Sequence, residues 1–222
     1  MQHTSEEGRM SIKIVLADDS DLVMVGLRTI IENDNRYIVV GNAQNFNNLL
    51  KLIEQQQPSI AILGENLYDT DILTTVDVIH RLSPKTRIII IGMTMQGSLL
   101  HVFFMRGVKA YLYRSDPLCE CLLTAIYTII EDRPFLSPTA NAEYLIALQS
   151  GHLVKPLDEK SRKVLTQLAQ GISINQIALH LGLPPRRVYA IRDRLRRRFG
   201  VDTNEHLISR AVAEGFTNVS AL

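Results

Sequence analysis

Cysteine, long apolar runs and metal-ligand motifs are scarce in this sequence, and each shortage excludes a class of protein. Only two of the 222 residues are cysteine, Cys119 and Cys121, and a spacing of two places them on different faces of a helix. They make neither a local disulfide nor half of a zinc site, and the six histidines have no metal-ligand spacing. No run is long enough to span a membrane, and residues 1–10 lack the apolar core of a signal peptide. We therefore expect a cytoplasmic protein that binds no metal and no membrane.

A catalytic arrangement is missing as well. No nucleophile stands in a recognisable motif with a base, and no metal triad is visible. We therefore expect a protein that is not an enzyme and that needs no cofactor. The length of the chain and its 46% of hydrophobic residues are sufficient for two compact domains, each with its own core.

Charge is distributed unevenly along the chain, although the net charge is only +1. Residues 1–154 carry 12 basic and 17 acidic side chains, a net charge of −5. Residues 155–222 carry 12 basic and 6 acidic side chains, a net charge of +6. This asymmetry indicates a polyanion-binding segment attached to an acidic domain, and the alternative is a chance distribution of surface charge.

Short apolar runs alternate with helical patterns between residues 12 and 131. Five strands are predicted, beginning near Lys13, Tyr37, Ile60, Arg87 and Ala110. The alternation predicts an α/β fold, a doubly wound (βα)5 parallel sheet with helices on both faces. Ligand sites in such sheets lie at the carboxyl ends of the strands. The residues at those ends are Asp18, Asp19, Gly64, Gly92 and Arg114.

Helical spacing marks the segments between the predicted strands. After the first strand this spacing is carried by Leu22, Val25, Gly26, Thr29, Ile30 and Glu32. Gly107 is suited to the C-terminal cap of a helix near residues 98–106. Pro117 can open the last helix of this part of the chain.

Residues 132–156 break the alternation and are predicted to form a linker. Turn signals containing proline mark this segment, and one short helix is expected over residues 141–148. At the other end of the chain, residues 1–11 are expected to form a flexible leader, within which Met10 is an alternative start.

Four helices are predicted in residues 157–222, which makes this part of the chain all-α. Asp158 is the expected N-cap of the first helix. Ser173 and Gln176 form an S-x-x-Q capping box for the second helix. The caps expected for the fourth helix are Asp202 and Glu205.

The third of these helices is crowded with arginine. It begins at Pro184 and Pro185, after a capped helix and a turn at Gly182. Its apolar residues recur at i, i+3, i+7 and i+11, so one stripe is buried and the remainder is cationic. These apolar residues are Val188, Ile191, Leu195 and Phe199. The pattern predicts a helix-turn-helix with its recognition helix in the major groove of DNA, and the alternative is a basic helix that is merely solvated.

Residues 12–131 resemble the receiver domain of two-component response regulators. The resemblance rests on the paired acids in residues 16–20, the strand at residues 58–64 and the block at residues 107–114. In that family an aspartate at the end of the third strand takes a phosphoryl group, a hydroxyl residue ends the fourth strand, and a lysine ends the fifth. This chain has Gly64, Gly92 and Arg114 at those positions.

These three departures remove the parts of a phosphorylation switch. Glycine carries no nucleophile, so an aspartyl phosphate cannot form at Gly64. Asp18 and Asp19 suit magnesium, but the third carboxylate is missing, so the resemblance implies weak or absent metal binding. Glu65 is a candidate phosphate mimic or displaced acceptor, although strand alternation turns it away from its neighbour's direction. Arg114 is expected to make a bidentate contact with Asp18 or Asp19 in place of the cation, unless it faces solvent.

Residues 157–216 resemble the LuxR-type DNA-binding domain of the NarL/FixJ response regulators. The matching segments are residues 164–171, 177–178, 181–183 and 199–201, with Val188 and Arg192. By this resemblance, the residues that face the groove are Val188, Tyr189 and Arg192. Phosphate contacts are expected from Arg186, Arg187, Arg196 and Arg197. Two alternatives stay open, in which Val188 belongs to the core or Tyr189 packs on the linker.

Together these patterns predict a DNA-binding transcriptional regulator that acts independently of aspartyl phosphorylation. A homodimer is expected on double-stranded DNA, because one helix-turn-helix reads a short half-site and paired half-sites multiply affinity. The alternative is a receiver-like module that binds a partner protein or a small-molecule effector, with DNA binding as a secondary activity.

Overall fold

The computed structural model describes residues 11–65, 67, 70–93, 96–150, 157–213 and 216. It divides into two compact units, which are described separately below. The first unit comprises residues 1–95 and 103–146, and the second comprises residues 96–102 and 147–222. Met10 and the rest of the predicted leader before residue 11 lie outside the described residues.

A six-stranded sheet forms the centre of the first unit. Its strands are β1 (Ile12–Ala17), β2 (Tyr37–Ala43), β3 (Ile60–Gly64), β4 (Arg87–Gly92), β5 (Ala110–Tyr113) and β6 (Phe135–Leu136). Their spatial order is β2-β1-β3-β4-β5-β6, and every neighbouring pair is parallel. The predicted parallel α/β sheet is confirmed. The order changes direction between β1 and β3, which is where ligands of such sheets bind.

Five helices lie between successive strands in the chain, and a sixth follows β6. They are α1 (Asp21–Glu32), α2 (Phe46–Gln56), α3 (Ile72–Leu82), α4 (Gly97–Met105), α5 (Leu118–Ile130) and α6 (Pro138–Gln149). α1 contacts α5, and α2 contacts α3. Three N-termini are capped by side chains that accept a backbone N–H three residues later, those of Ser20, Asn45 and Asp71.

Strand alternation divides the sheet residues between its two faces. One set lies in a single core cluster with α1 and α5: Ile14, Leu16, Ile60, Ile62, Ile89, Ile91, Ala110 and Leu112. The intervening residues point to the opposite face. At the carboxyl ends of the strands, Asp18, Gly64 and Arg114 continue the first set. Glu65, Gly92 and Tyr111 belong to the second set.

The buried face of α1 differs from the one that its sequence suggested. Leu22 is 80% exposed and Val25 is 60% exposed, whereas Met24, Leu27 and Ile31 are buried. The predicted helix is confirmed, and because apolar residues occur on more than one of its faces, helical spacing alone does not identify the buried one. On α5, which Pro117 precedes as predicted, Cys119 is exposed, Cys121 is buried, and both are free thiols.

β6 and α6 occupy much of the segment that was predicted to be a linker. Ser137, between them, is fully buried; its backbone N–H donates to the Tyr111 carbonyl (3.1 Å) and its Oγ accepts from the Tyr113 N–H (2.8 Å). Thr139 donates its N–H and its hydroxyl to the carboxylate of Asp116. The start of α6 is therefore attached to β5 and to the turn that follows it.

The second unit contains the four predicted helices of the C-terminal part. They are α7 (Glu159–Ala169), α8 (Ile174–His180), α9 (Pro185–Phe199) and α10 (Asn204–Ala213). Asp158 caps α7 by accepting the Ser161 N–H (2.8 Å), and the capping box of Ser173 with Gln176 is present on α8. Gly182 forms the turn before α9 with a left-handed φ of 60°. These sequence predictions are confirmed.

The cap of α10 corrects one prediction. The Oγ1 of Thr203, rather than the carboxylate of Asp202, accepts the backbone N–H of His206 (3.1 Å). Glu205 lies in the first turn, where bonds from its own N–H and from the Thr203 hydroxyl lower the pKa of its carboxyl. None of the helices in the described parts of the chain is long and apolar enough to cross a bilayer.

Candidate functional site

The carboxyl ends of β1, β3 and β5 bring three of the predicted residues together on the α1/α5 side of the sheet. Ala17 pairs with Leu63 in the parallel register, so the next residues, Asp18 and Gly64, lie side by side. Arg114 follows β5 directly and reaches the same place with its long side chain. We call Asp18, Gly64 and Arg114 the Asp18 cluster.

Asp18 is the centre of this cluster, and it is almost completely buried. Its side chain is 2% exposed, and its Oδ2 accepts a hydrogen bond from Nη2 of Arg114 at 2.5 Å. Its Oδ1 accepts the backbone N–H of Ser20 at 2.9 Å. The expected partner of Arg114 is therefore present, but the contact uses one guanidinium nitrogen and is not bidentate. Burial raises the pKa of the Asp18 carboxyl, while the Ser20 N–H and the Arg114 charge oppose that rise and Asp19 adds to it.

The Asp18 carboxylate also occupies the space in front of Gly64. A Cβ built on Gly64 would lie 2.3 Å from Oδ2 and 2.9 Å from Cγ of Asp18. Non-bonded carbon and oxygen atoms do not approach so closely, so any side chain at this position displaces Asp18 or strains the backbone. The gap at Gly64 is thus filled by a neighbouring carboxylate.

A second group of residues fills the gap at Gly92, on the opposite face of the sheet. Gly64 pairs with Ile91, and the next residue, Glu65, donates its backbone N–H to the Ile91 carbonyl (3.0 Å). The Glu65 Oε2 accepts the Met93 N–H at 2.8 Å and the Tyr111 hydroxyl at 3.3 Å. A Cβ on Gly92 would lie 2.2 Å from this oxygen.

We call Glu65, Gly92 and Tyr111 the Glu65 cluster, and sequence reasoning missed its importance. As expected from strand alternation, the Glu65 side chain lies on the opposite face of the sheet from Gly64. Gly92 lies on that same opposite face, so Glu65 and Gly92 meet there. The signal that was available is the pairing of an acid with a glycine at the ends of two adjacent parallel strands. Tyr111 carried no signal of its own, because a tyrosine in a strand is ordinary.

A magnesium ion, which the receiver resemblance implies, does not fit the Asp18 cluster as it stands. Asp18 and Asp19 are the only two of its expected carboxylate ligands in the sequence, since position 64 is glycine. The Arg114 guanidinium already donates to Asp18, and its positive charge repels a cation. Among the residues that the structure describes, no group of three histidine, cysteine, aspartate or glutamate side chains is arranged to hold a metal.

In the second unit, α9 presents most of the predicted nucleic-acid contacts. Arg186 and Arg187 are exposed in its first turn. Arg197 is exposed, and its Nε lies 3.4 Å from the carbonyl of Asp193. Arg196 is half-buried, with Nη2 donating to the Asn204 side chain at 2.9 Å.

Three neighbouring side chains of α9 form a compact polar group. The guanidinium carbon of Arg192 lies 4.9 Å from the ring centroid of Tyr189, which is 44% exposed. Nε and Nη2 of Arg192 donate to Oδ1 of Asp193 at 3.0 and 2.7 Å. The Arg192 guanidinium is therefore held by a ring and a carboxylate, both from its own helix.

Val188 corrects the groove assignment. It is completely buried in the core with Ile191, Leu195 and Phe199, so it is not available to a ligand. The alternative that placed Val188 in the core is the one that the structure shows. A residue at the start of an i, i+3, i+7, i+11 stripe belongs to the stripe, and the family comparison had outweighed that simple periodicity.

Comparison with known proteins shows what the two parts of the chain are similar to. Residues 14–116 match the family model described as the response regulator receiver domain. The transcriptional regulatory protein YdfI of Bacillus subtilis is 25% identical over 214 residues, which cover 93% of this chain and 98% of the relative. The nitrate/nitrite response regulator NarL of Escherichia coli is 25% identical over 175 residues, covering 77% of this chain and 81% of the relative.

Solved structures show the same fold. RcsB from Salmonella enterica serovar Typhimurium, bound to a promoter in the presence of a phosphomimetic, has a TM-score of 0.69 and 19% identity, covering 92% of this chain and all of RcsB. A LuxR-family two-component response regulator from Aurantimonas has a TM-score of 0.59 and 24% identity, covering 63% of this chain and 99% of that protein. The chain therefore shares the fold of these solved response regulators, and its residues 14–116 are similar to the response regulator receiver domain.

Proposed function

We propose that this protein is a DNA-binding transcriptional regulator whose receiver domain works without aspartyl phosphorylation. The observation that carries the second half of this proposal is the occupation of the space at Gly64 by the Asp18 carboxylate. The proposed domains are a leader at residues 1–11, the receiver at residues 12–131, a linker at residues 132–156 and the DNA-binding domain at residues 157–222.

The α9 helix is the proposed recognition element. Its exposed arginines give the second unit a cationic face, and cationic side chains that neutralise phosphates supply most of the affinity for DNA. Arg192 and Tyr189 are proposed to contact base edges, because arginine donates well to guanine in the major groove. Arg186, Arg187, Arg196 and Arg197 are proposed to contact phosphates. The RcsB structure bound to a promoter, which shares this fold, supports the choice of DNA as ligand.

The receiver domain is proposed to be silent in phosphoryl transfer. Transfer to an aspartate needs a carboxylate nucleophile at the end of β3, and Gly64 has no side chain. Asp18 lies beside that position, but Arg114 and the Ser20 N–H hold its two oxygens. Regulation is then proposed to come from dimerisation, from an effector on the receiver or from the amount of protein in the cytoplasm.

A homodimer is the proposed binding form. One helix-turn-helix contacts only a short half-site, and two linked copies bind paired half-sites with much higher affinity. Unlabelled protein mixed with DNA of one or two half-sites would show the difference in a gel-shift titration.

Two measurements test the proposed function. Genome-wide mapping of bound DNA, followed by titration of the recovered fragments at moderate salt, should reveal a sequence preference that is lost when α9 is altered. Incubation with acetyl phosphate should leave the receiver carboxylates unlabelled. Binding without any preference among promoter fragments, or stoichiometric labelling of a carboxylate, would overturn the corresponding half of the proposal.

A further inference from the structure

We propose that Glu65 is a resident carboxylate that holds Tyr111 inside the sheet edge and thereby fixes the ends of β4 and β5 in one arrangement. The inference rests on the proposed function, because it assigns a regulatory role to the same altered receiver edge. It concerns the face of the sheet opposite to the Asp18 cluster.

The contacts of Glu65 join three strands. Its backbone continues β3 by donating to the Ile91 carbonyl of β4, and its Oε2 accepts from the Met93 N–H just after β4. The same oxygen accepts from the Tyr111 hydroxyl of β5. A single carboxylate oxygen therefore ties together the ends of β3, β4 and β5.

Gly92 is what makes room for this contact. A Cβ at position 92 would lie 2.2 Å from Glu65 Oε2 and 2.6 Å from the Tyr111 hydroxyl oxygen. Any side chain there, including the hydroxyl residue that the receiver family carries, would compete with both. The glycine and the glutamate are thus parts of one arrangement, in which the carboxylate fills the volume that a side chain at position 92 would take.

Tyr111 is held on its other side by packing. It is completely buried, and its ring stacks on Phe103 with centroids 5.8 Å apart and planes inclined by 15°. Its hydroxyl, the polar end of a buried ring, meets the Glu65 carboxylate. Because Phe103 packs on the face of the ring and Glu65 binds its hydroxyl, Tyr111 has one inward position. No phosphoryl group is needed to select that position.

Fluorine NMR of protein labelled with 3-fluorotyrosine tests this role directly. The chain has seven tyrosines, and the Tyr111→Phe variant identifies the resonance of Tyr111. In the wild type this resonance should show almost no shift between H2O and D2O. In Glu65→Ala it should move towards the full solvent shift shown by Tyr127, which is 49% exposed. Glu65→Gln should stay near the wild type, because an amide oxygen still accepts.

Matched variants separate this role from general instability. Glu54→Ala, an exposed acid on α2, should leave the Tyr111 resonance unchanged. Gly92→Ala reaches the contact from the other side and should release Tyr111, whereas Gly26→Ala, with no atom within 4 Å of its added Cβ, should not. The resonance of the buried Tyr37 reports whether each variant is folded. If either Glu65→Ala or Gly92→Ala fails to fold, the variant that does fold provides the test.

The outcomes distinguish this inference from the proposed function. If Tyr111 keeps its protected resonance in folded Glu65→Ala and in folded Gly92→Ala, Glu65 does not hold it and the inference is wrong. Labelling of wild-type protein by acetyl phosphate would instead overturn the phosphorylation-independent function, whatever the tyrosine resonances show. Release of Tyr111 in both variants, with protection retained in Glu65→Gln, supports the inference.

Discussion

The Oδ2 atom of Asp18 lies 2.3 Å from the point where a Cβ on Gly64 would be placed. The Asp18 carboxylate fills the space that a side chain at position 64 would need. It is held there by its hydrogen bonds from Arg114 and from the Ser20 N–H. The absence of a side chain at position 64 and the inward position of Asp18 are therefore linked. A side chain introduced at position 64 therefore destabilises the fold unless Asp18 moves out of this space.

Gly64→Asp should destabilise the receiver domain and should not restore phosphorylation. The new side chain collides with Asp18 and adds a second negative charge beside it, and overpacking of this kind costs roughly 1–3 kcal/mol. Urea unfolding gives the change in free energy, and acetyl phosphate labelling gives the change in reactivity.

The matched control for Gly64→Asp is Gly26→Ala on α1. No atom lies within 4 Å of a Cβ at Gly26, so this change should leave stability unchanged or raise it by about 0.5–1 kcal/mol. Ready labelling of the single Gly64→Asp variant would show that Asp18 does not block the position.

Arg114→Met should destabilise the receiver because it leaves the buried Asp18 without its cationic partner. A buried acceptor deprived of its partner costs about 1–3 kcal/mol, and the 32% exposure of the Arg114 side chain places the loss in the lower part of that range. Arg133→Met is the comparison, because its ion pair with Glu131 is exposed to solvent and its loss should change stability less than the loss of Arg114. Equal losses in the two variants would contradict a special role for Arg114.

Acidification should stabilise the wild type relative to Asp18→Asn. The pKa of Asp18 is raised above its usual 3.8, mainly by burial, so the folded state takes up this proton before the unfolded chain does. The contribution is fully present below the unfolded pKa and is lost as pH rises through the folded pKa. Urea midpoints of both proteins are measured from pH 7 down towards 4. As the pH falls, the midpoint of the wild type should rise relative to that of Asp18→Asn. A difference that stays constant over this range would show that the pKa is not raised.

Arg192→Ala should reduce discrimination between operator and random DNA without unfolding the second unit. The side chain is 18% exposed, and its guanidinium is held by Tyr189 and Asp193 on its own helix, outside the apolar core cluster of the second unit. Loss of one specific arginine contact costs about 1–3 kcal/mol of discrimination. Arg186→Ala is the matched variant, and it should weaken all duplexes alike and reduce the salt slope by about one. Unchanged operator preference in Arg192→Ala would refute the assignment.

Asp193→Ala should increase affinity for DNA of any sequence. Its carboxylate binds the Arg192 guanidinium at 2.7 Å and would repel an approaching phosphate. Without it, Arg192 is free to make a further phosphate contact, which should steepen the dependence of affinity on salt by about one. Fluorescence anisotropy at several salt concentrations measures both quantities. Weaker binding by this variant would mean that Asp193 orients Arg192 for base contacts instead.

The sequence predicted the parts of the fold that depend on periodicity and capping. Five strands, the capping box of Ser173 and Gln176 and the buried stripe of α9 follow from spacing and from local hydrogen bonds. β6 was beyond such reasoning, because two residues make no pattern. The buried face of α1 was also missed, since Leu22 and Val25 satisfy helical spacing as well as the residues that pack.

The site was only partly predictable because its contacts depend on strand register. Arg114 was expected to contact Asp18 or Asp19, and it contacts Asp18, while the choice between the two acids and the number of nitrogens in contact required the geometry. The place of Glu65 required knowing that it lies beside Gly92, which parallel register fixes and sequence does not. Val188 was assigned to the groove by family comparison, against the periodicity of its own helix.

Ser137 joins the beginning of α6 to β5 through two backbone groups, and Thr139 adds two bonds to Asp116. Tyr111 lies within β5 and Arg114 follows it directly, so each cluster contributes one residue at this strand. A displacement of β5 would act on the first turn of α6 through these hydrogen bonds. The start of α6 is thus coupled to β5 by direct hydrogen bonds, so the two should exchange their amide hydrogens at similar rates.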